Sequence, residues 1–201
     1  MAALGRLIAT ALALSLVATP AQAHGNFNGG DFYAGLLQPI YHPESLLAAL
    51  ALVLWSTQQT ARAGFLACAG FTAAVALGSA MALLGQRLPG AEWGTRAAML
   101  VFGPMAAAQL RLPAFAAAGL AALAGLAIGA AATAPEAAQI TRPVLWTLGL
   151  GAGVALLGVY ANQVVWRFQA FWMQVAVRIV GSWISAIGLL VSVLAAKRPP
   201  P

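Results

Sequence analysis

Charge is scarce in this chain. Of its 201 residues 7% are Asp, Glu, Lys or Arg, 62% are apolar, and mean hydropathy is +0.86; a soluble domain carries about 25% charged residues. Histidine and cysteine are nearly absent, with two of the former, none after residue 42, and one of the latter. There is no Walker A motif, no Gly-rich nucleotide loop, no nucleophile elbow, no CxxC and no His-x-x-x-His pair. These absences remove ATP hydrolysis and nucleotide binding, and they leave an enzyme no residues to work with. The single thiol, Cys68, makes no intramolecular disulfide and no Cys-rich metal site. Within Phe65-Leu66-Ala67-Cys68-Ala69-Gly70-Phe71 it reads as a small helix-packing residue.

The few charges are spaced in a telling way. Uncharged stretches of 24 residues separate Arg62 from Arg87, Arg111 from Glu136 and Arg142 from Arg167, and 18 more separate Arg178 from Lys197. About 20 apolar residues in a helix span the hydrocarbon core of a bilayer. The expected fold is therefore all-α, a polytopic transmembrane helical bundle with the lipid bilayer as its first partner. The net charge of +6 comes from single Arg residues between apolar segments. They form no phosphate-tracking stripe, which excludes nucleic acid, and they suit anchoring beside anionic lipid.

Residues 1–23 have the layout of a signal peptide: Arg6 as the positive n-region, an apolar run over 7–17, and Ala21-Gln22-Ala23 as the cleavage site. An uncleaved first anchor is the rival reading, with a run that is short for a span. Cleavage starts the mature chain, 24–201, at His24 on the periplasmic side of a bacterial inner membrane. His24 then presents an imidazole beside a free α-amine, a pair able to chelate a borderline divalent metal; the plainer reading is an ordinary polar residue after a cleavage site.

About six spans follow. The first is either one helix from about Ser45 or a re-entrant piece from Phe32 followed by a helix over 46–55. The others are expected over about 64–84, 93–110, 113–132, 144–165 and 172–196. Pro89, Pro113 and Pro143 sit at span starts, where a missing N–H costs least. Gly125/Gly129 and Gly149/Gly153 are small-xxx-small pairs that let helices approach closely, read here as packing within the chain. Arg62, Arg111 and Arg167 fall on one side and Arg87, Arg142, Lys197 and Arg198 on the other, so the Lys/Arg bias does not fix orientation.

Polar residues inside a bilayer are expensive and mark functional sites by default. His42 and Glu44 stand at the entry of span 1 beside Pro39 and Pro43, and Glu92 opens span 3. Gln109 ends span 3, Asn162 and Gln163 lie late in span 5, and Gln174 and Arg178 early in span 6. Arg178 is placed to snorkel to the interface, and Asn162-Gln163 to hydrogen-bond between helices.

The stretch Gln38-Pro39-Ile40-Tyr41-His42-Pro43-Glu44-Ser45-Leu46-Leu47-Ala48-Ala49 resembles the first-span signature of the HupE/UreJ family of nickel/cobalt permeases, approximately His-Pro-x-x-Gly-x-Asp-His-Leu-Leu-Ala-Met. Leu88-Pro89-Gly90-Ala91-Glu92-Trp93-Gly94, Arg111-Leu112-Pro113 and Arg178-Ile179-Val180-Gly181 extend the resemblance along the chain. It implies a membrane permease whose cargo is Ni²⁺ or Co²⁺, with no resident cofactor. The departures fall on the ligands. Gln38 replaces the first motif histidine, His42 the glycine, Glu44 the aspartate and Ser45 the second histidine, and the His-rich stretch after span 4 corresponds to residues 129–136 with no imidazole. Nickel favours imidazole nitrogen, so the residues left for a metal are His42 and Glu44, with Gln38 and Ser45 at the motif positions, Asp31 or His24 from the N-terminal segment, and Glu92 in the retained frame. Two functions follow: a divergent transition-metal permease, or a non-transporting membrane subunit of a larger complex.

Overall fold

The computed structural model describes residues 30–86, 88–135, 137–167 and 171–197. The signal-peptide reading of 1–23 and the His24 chelate lie outside the described residues. Seven helices, all α, account for the regular structure among those residues: α1 (Asp31–Tyr41), α2 (Pro43–Ser56), α3 (Ala61–Leu83), α4 (Ala91–Ala108), α5 (Ala114–Thr133), α6 (Pro143–Arg167) and α7 (Phe171–Ala196). Helices α3 to α7 fall on the five later predicted segments to within three residues at each end. Four of them (α3, α5, α6 over Pro143–Val165, and α7) are long and apolar enough to cross a membrane by length and composition. The protein is a multi-pass, all-helical membrane protein.

The first predicted span is two helices. Proline disfavours the helical conformation in the residue before it, and His42, which precedes Pro43, is extended at φ −111°, ψ 92°. Helix α1 therefore stops at Tyr41, and Pro43 restarts the chain at the first position of α2, where its lack of an N–H is tolerated. Elsewhere the ends are set by local chemistry. The Thr60 side chain accepts from Ala63 N at the start of α3, and Gln109 closes α4 in the left-handed region at φ 55°.

Helix α2 is the axis of the bundle and packs against every other helix. It is apolar on all sides, as a fully enclosed helix must be, and Ala48, Ala49, Ala51, Leu52, Val53 and Trp55 are at most 1% exposed. Trp55 rests on the Phe102 ring of α4 (centroids 5.2 Å apart) and donates its indole N–H to Leu110 O at 2.7 Å. Around this axis stand three tight pairs, α1·α6, α3·α5 and α4·α7. Glycine makes each one close. A Cβ on Gly129 would strike the Val75 carbonyl and one on Gly125 would lie 2.5 Å from the Phe71 carbonyl, locking α5 to α3. Gly149 and Gly153 of α6 sit on the Phe32 and Leu36 carbonyls of α1, and Gly103 and Gly181 face each other across α4·α7. Both small-xxx-small pairs therefore pack within the chain, as expected. Large apolar side chains such as Phe65, Phe115, Leu123 and Trp183 point outward, onto lipid.

Candidate functional site

The interruption at His42 gathers the motif residues at the start of the axial helix. Gln38, on the last turn of α1, is 2% exposed, and its Nε2 donates to Ala132 O at 2.6 Å, in the last turn of α5. This bond joins the first motif position to the 129–136 stretch, 94 residues further along the chain. Ser45 is also buried, in the first turn of α2, while His42 and Glu44 are half-buried at the break. Glu44 lies in the first turn of α2, where the positive end of the helix dipole favours a carboxylate.

Glu44 has a partner that sequence reading missed. Arg96, on the second turn of α4, places Nε 3.2 Å from Glu44 Oε2 and Nη2 3.6 Å from Glu92 Oε2. The Arg96 side chain is 12% exposed, against 42% for Glu44 and 76% for Glu92, and its guanidinium lies over the Trp93 ring at 5.1 Å. Two carboxylates from different helices thus close on one cation. The i,i+4 spacing of Glu92 and Arg96 was the available signal, whereas the link to Glu44 spans 52 residues.

Beside Gln38, a line of buried polar groups connects three helices. Trp146 Nε1 donates to Thr133 Oγ1 (3.2 Å), Thr133 Oγ1 to Ser79 Oγ (2.9 Å), and Ser79 Oγ stands 3.5 Å from Thr147 Oγ1. An indole N–H only donates, so it sets the direction of the Thr133 hydroxyl. Ser79 and Thr133 are fully buried, and none of these residues stands out within its apolar run. Asp31 is engaged elsewhere: its Oδ2 accepts from Thr141 Oγ1 at 2.8 Å and from the Arg142 backbone N–H, tying the start of α1 to the start of α6. Among the described residues no three His, Cys, Asp or Glu side chains are grouped to hold a metal ion. The structure thus brings Glu44 to Glu92, and Gln38 to the end of α5, and leaves Asp31 with the α6 loop.

The other end of α2 is built of carboxamides. Gln58 Nε2 donates to Ala106 O (3.0 Å), Gln59 Nε2 to Leu110 O (2.9 Å), and Arg178 Nε to Ala107 O (2.9 Å). Together they serve carbonyls at and just beyond the end of α4, where Ala106 O also accepts from the Gln109 backbone N–H and Leu110 O from the Trp55 indole. Arg178 thus acts as a C-terminal cap of α4. Two cavities open here. One of about 750 Å³ is lined by Ser56, Cys68, Phe71, Val154 and Asn162, with Cys68 Sγ 3.1 Å from Ser56 Oγ. One of about 530 Å³ is lined by Gln58, Gln59, Gln109, Arg111, Asn162 and Gln174. Asn162 and Gln163 are exposed on α6, and Asn162 faces both cavities rather than bonding to a neighbouring helix among the described residues.

No curated protein and no solved structure matches the chain. The family model for HupE / UreJ protein matches residues 12–191, nine-tenths of the sequence and every one of the seven helices in whole or in large part. That span takes in the broken first segment, the Glu44–Arg96–Glu92 cluster and the glycine-packed pairs, and the chain belongs to the HupE/UreJ family of membrane proteins.

Proposed function

We propose that this protein is a secondary permease for a transition-metal cation, Ni²⁺ or Co²⁺, working without nucleotide hydrolysis. The observation that carries the reading is the interruption of the axial span at His42. Transporters commonly build their substrate sites where a membrane helix is broken, because backbone and helix-end dipoles are freed there to face an ion. Here the break sits beside a carboxylate (Glu44), a second carboxylate (Glu92) and a half-buried imidazole (His42), at the entry of the most enclosed helix. The cation enters at this end, between α1, α2 and α4. Residues 1–23 are removed as a signal peptide, and the mature N-terminus lies in the periplasm with the chain in the bacterial inner membrane. In this orientation Glu44 and Glu92 face the periplasm together with Arg96, Arg142 and Lys197, and Arg62, Arg111 and Arg178 face the cytoplasm, so the assignment rests on the signal-peptide reading and not on the Lys/Arg balance.

One observation favours a second reading, a non-transporting subunit of a larger membrane complex. Glu44 is already paired with Arg96, and Gln38 and Ser45 stand where the family signature has imidazoles. Uptake by cells expressing the protein, with Ni²⁺, Co²⁺, Mn²⁺ and Zn²⁺ in competition, separates the two. Saturable accumulation of Ni²⁺ or Co²⁺ that Glu44→Gln abolishes supports the permease. Accumulation equal to that of cells lacking the protein supports the subunit.

A further inference from the structure

We infer that the Arg111 end of the bundle holds one anionic phospholipid, with an acyl chain in the slot between α3 and α6 and its phosphate on Arg111.

The slot exists because two helices part. A Cβ on Gly151 of α6 would lie 4.0 Å from the Ala76 Cβ of α3, whereas one on Gly158, about two turns further on, would meet nothing within 4 Å. Where the helices diverge lies the cavity of about 750 Å³, which follows α3 from Ala61 to Ala73. At 1.5 Å per residue that is about 18 Å, close to one leaflet of a hydrocarbon core about 30 Å thick. Phe65 and Val159, which line it, are 71% and 55% exposed, so the slot opens sideways onto lipid.

The head of the slot is polar. Thr57, Gln59 and Asn162 line both this cavity and the one of about 530 Å³, so the two adjoin. Arg111 is the one ionised residue lining the second cavity, and it stands in no ion pair among the described residues. Gln58 lines it too. With Nε2 committed to Ala106 O, its buried Oε1 is left without a donor among the described residues, a costly state inside a membrane. The second cavity thus offers one positive charge, no negative one, and an acceptor in need of an N–H or O–H. A phosphodiester carrying a glycerol headgroup answers both, with its phosphate on Arg111 and a hydroxyl donated to Gln58. An ethanolamine headgroup brings an ammonium that no carboxylate in this lining neutralises. Basic pockets between membrane helices bind anionic headgroups in this way.

Native mass spectrometry of the delipidated full chain in detergent, titrated with phosphatidylglycerol or phosphatidylethanolamine of the same acyl chains, tests the site. The parent is expected to hold one phosphatidylglycerol about fivefold more tightly than phosphatidylethanolamine. Arg111→Gln is expected to abolish that preference, and Arg111→Lys to keep it, since lysine also binds phosphate. Gly158→Leu, whose Cβ meets no protein atom, fills the slot; it is expected to weaken both lipids about tenfold and leave the preference intact. Arg62→Gln, at the same end of the bundle and outside both cavities, should change nothing. Binding unaffected by Gly158→Leu overturns the inference, and this arm decides if Arg111→Gln does not fold. Equal retention of the two lipids by the parent, a preference that survives Arg111→Gln, or one that Arg62→Gln also removes overturns it as well. Glycerophosphate, a headgroup without a chain, is expected not to compete; displacement of the lipid by it would mark a site for free phosphate and contradict the lipid.

Discussion

Replacing Gln38 with Leu tests whether the broken span is fastened where the structure places it. The two side chains are close in size, so Gln38→Leu opens little cavity, and its main effect is the loss of the Nε2 donor to Ala132 O. Ala132 O belongs to the last turn of α5, whose final carbonyls have no partner within the helix. Hydrogen bonds between helices in a bilayer are worth about 0.6 kcal/mol on average and about 1.7 at most, while stranding a buried acceptor costs about 1–3 kcal/mol. Gln38 is 2% exposed and the bond is short, at 2.6 Å, so water and lipid headgroups offer no substitute. The upper part of the first range applies, and a loss of about 1.5 kcal/mol is expected. Reversible unfolding in mixed detergent, followed by circular dichroism, reads this difference. Gln38→His keeps a ring N–H able to donate and should lose less than Gln38→Leu. A leucine variant as stable as the parent would refute the claim that this bond holds α1 to α5.

Three further outcomes are expected. Gln38→His with Ser45→His places two imidazoles at the break beside Glu44, and isothermal titration should show tighter Ni²⁺ binding than the weak binding of the parent; equal binding by both proteins means that the existing groups suffice. Gly129→Val drives a side chain into the Val75 carbonyl and should cost more than about 2 kcal/mol or prevent folding, whereas Gly119→Ala, with nothing within 4 Å of the added carbon, should be neutral or slightly stabilising. Intact mass of the purified protein should lack residues 1–23, and a mass that retains Met1 removes the His24 chelate from consideration.

The five later helices were legible because each is dominated by a long apolar run whose few charges (Arg62, Glu92, Arg96, Arg167 and Arg178) lie within about two turns of a helix end, and those boundaries are local. The glycine pairs were legible for the same reason: Gly125/Gly129 and Gly149/Gly153 announce close approach within one helix, though not the partner. The first segment was ambiguous because Pro39 and Pro43 both interrupt it. Pro39 is accommodated inside α1, and Pro43 is the one that breaks the chain, through the conformation it imposes on His42. The contacts that build the site were hidden. Arg96 meets Glu44 across 52 residues and Gln38 meets Ala132 across 94, and the Ser79–Thr133–Trp146 line consists of two small hydroxyls and an indole N–H scattered through apolar runs. Periodicity does not report such pairings, since it records which face of a helix is apolar and not which helix covers it.

The proposed permease moves metal across a membrane without nucleotide. Sealed vesicles containing only the purified protein, given radioactive Ni²⁺ or Co²⁺ outside and a membrane-impermeant chelator inside, test it directly. Saturable accumulation by the parent without added nucleotide is expected, with loss of most of it in Glu44→Gln at equal protein content. Accumulation no greater than in protein-free vesicles, for both metals, would contradict it.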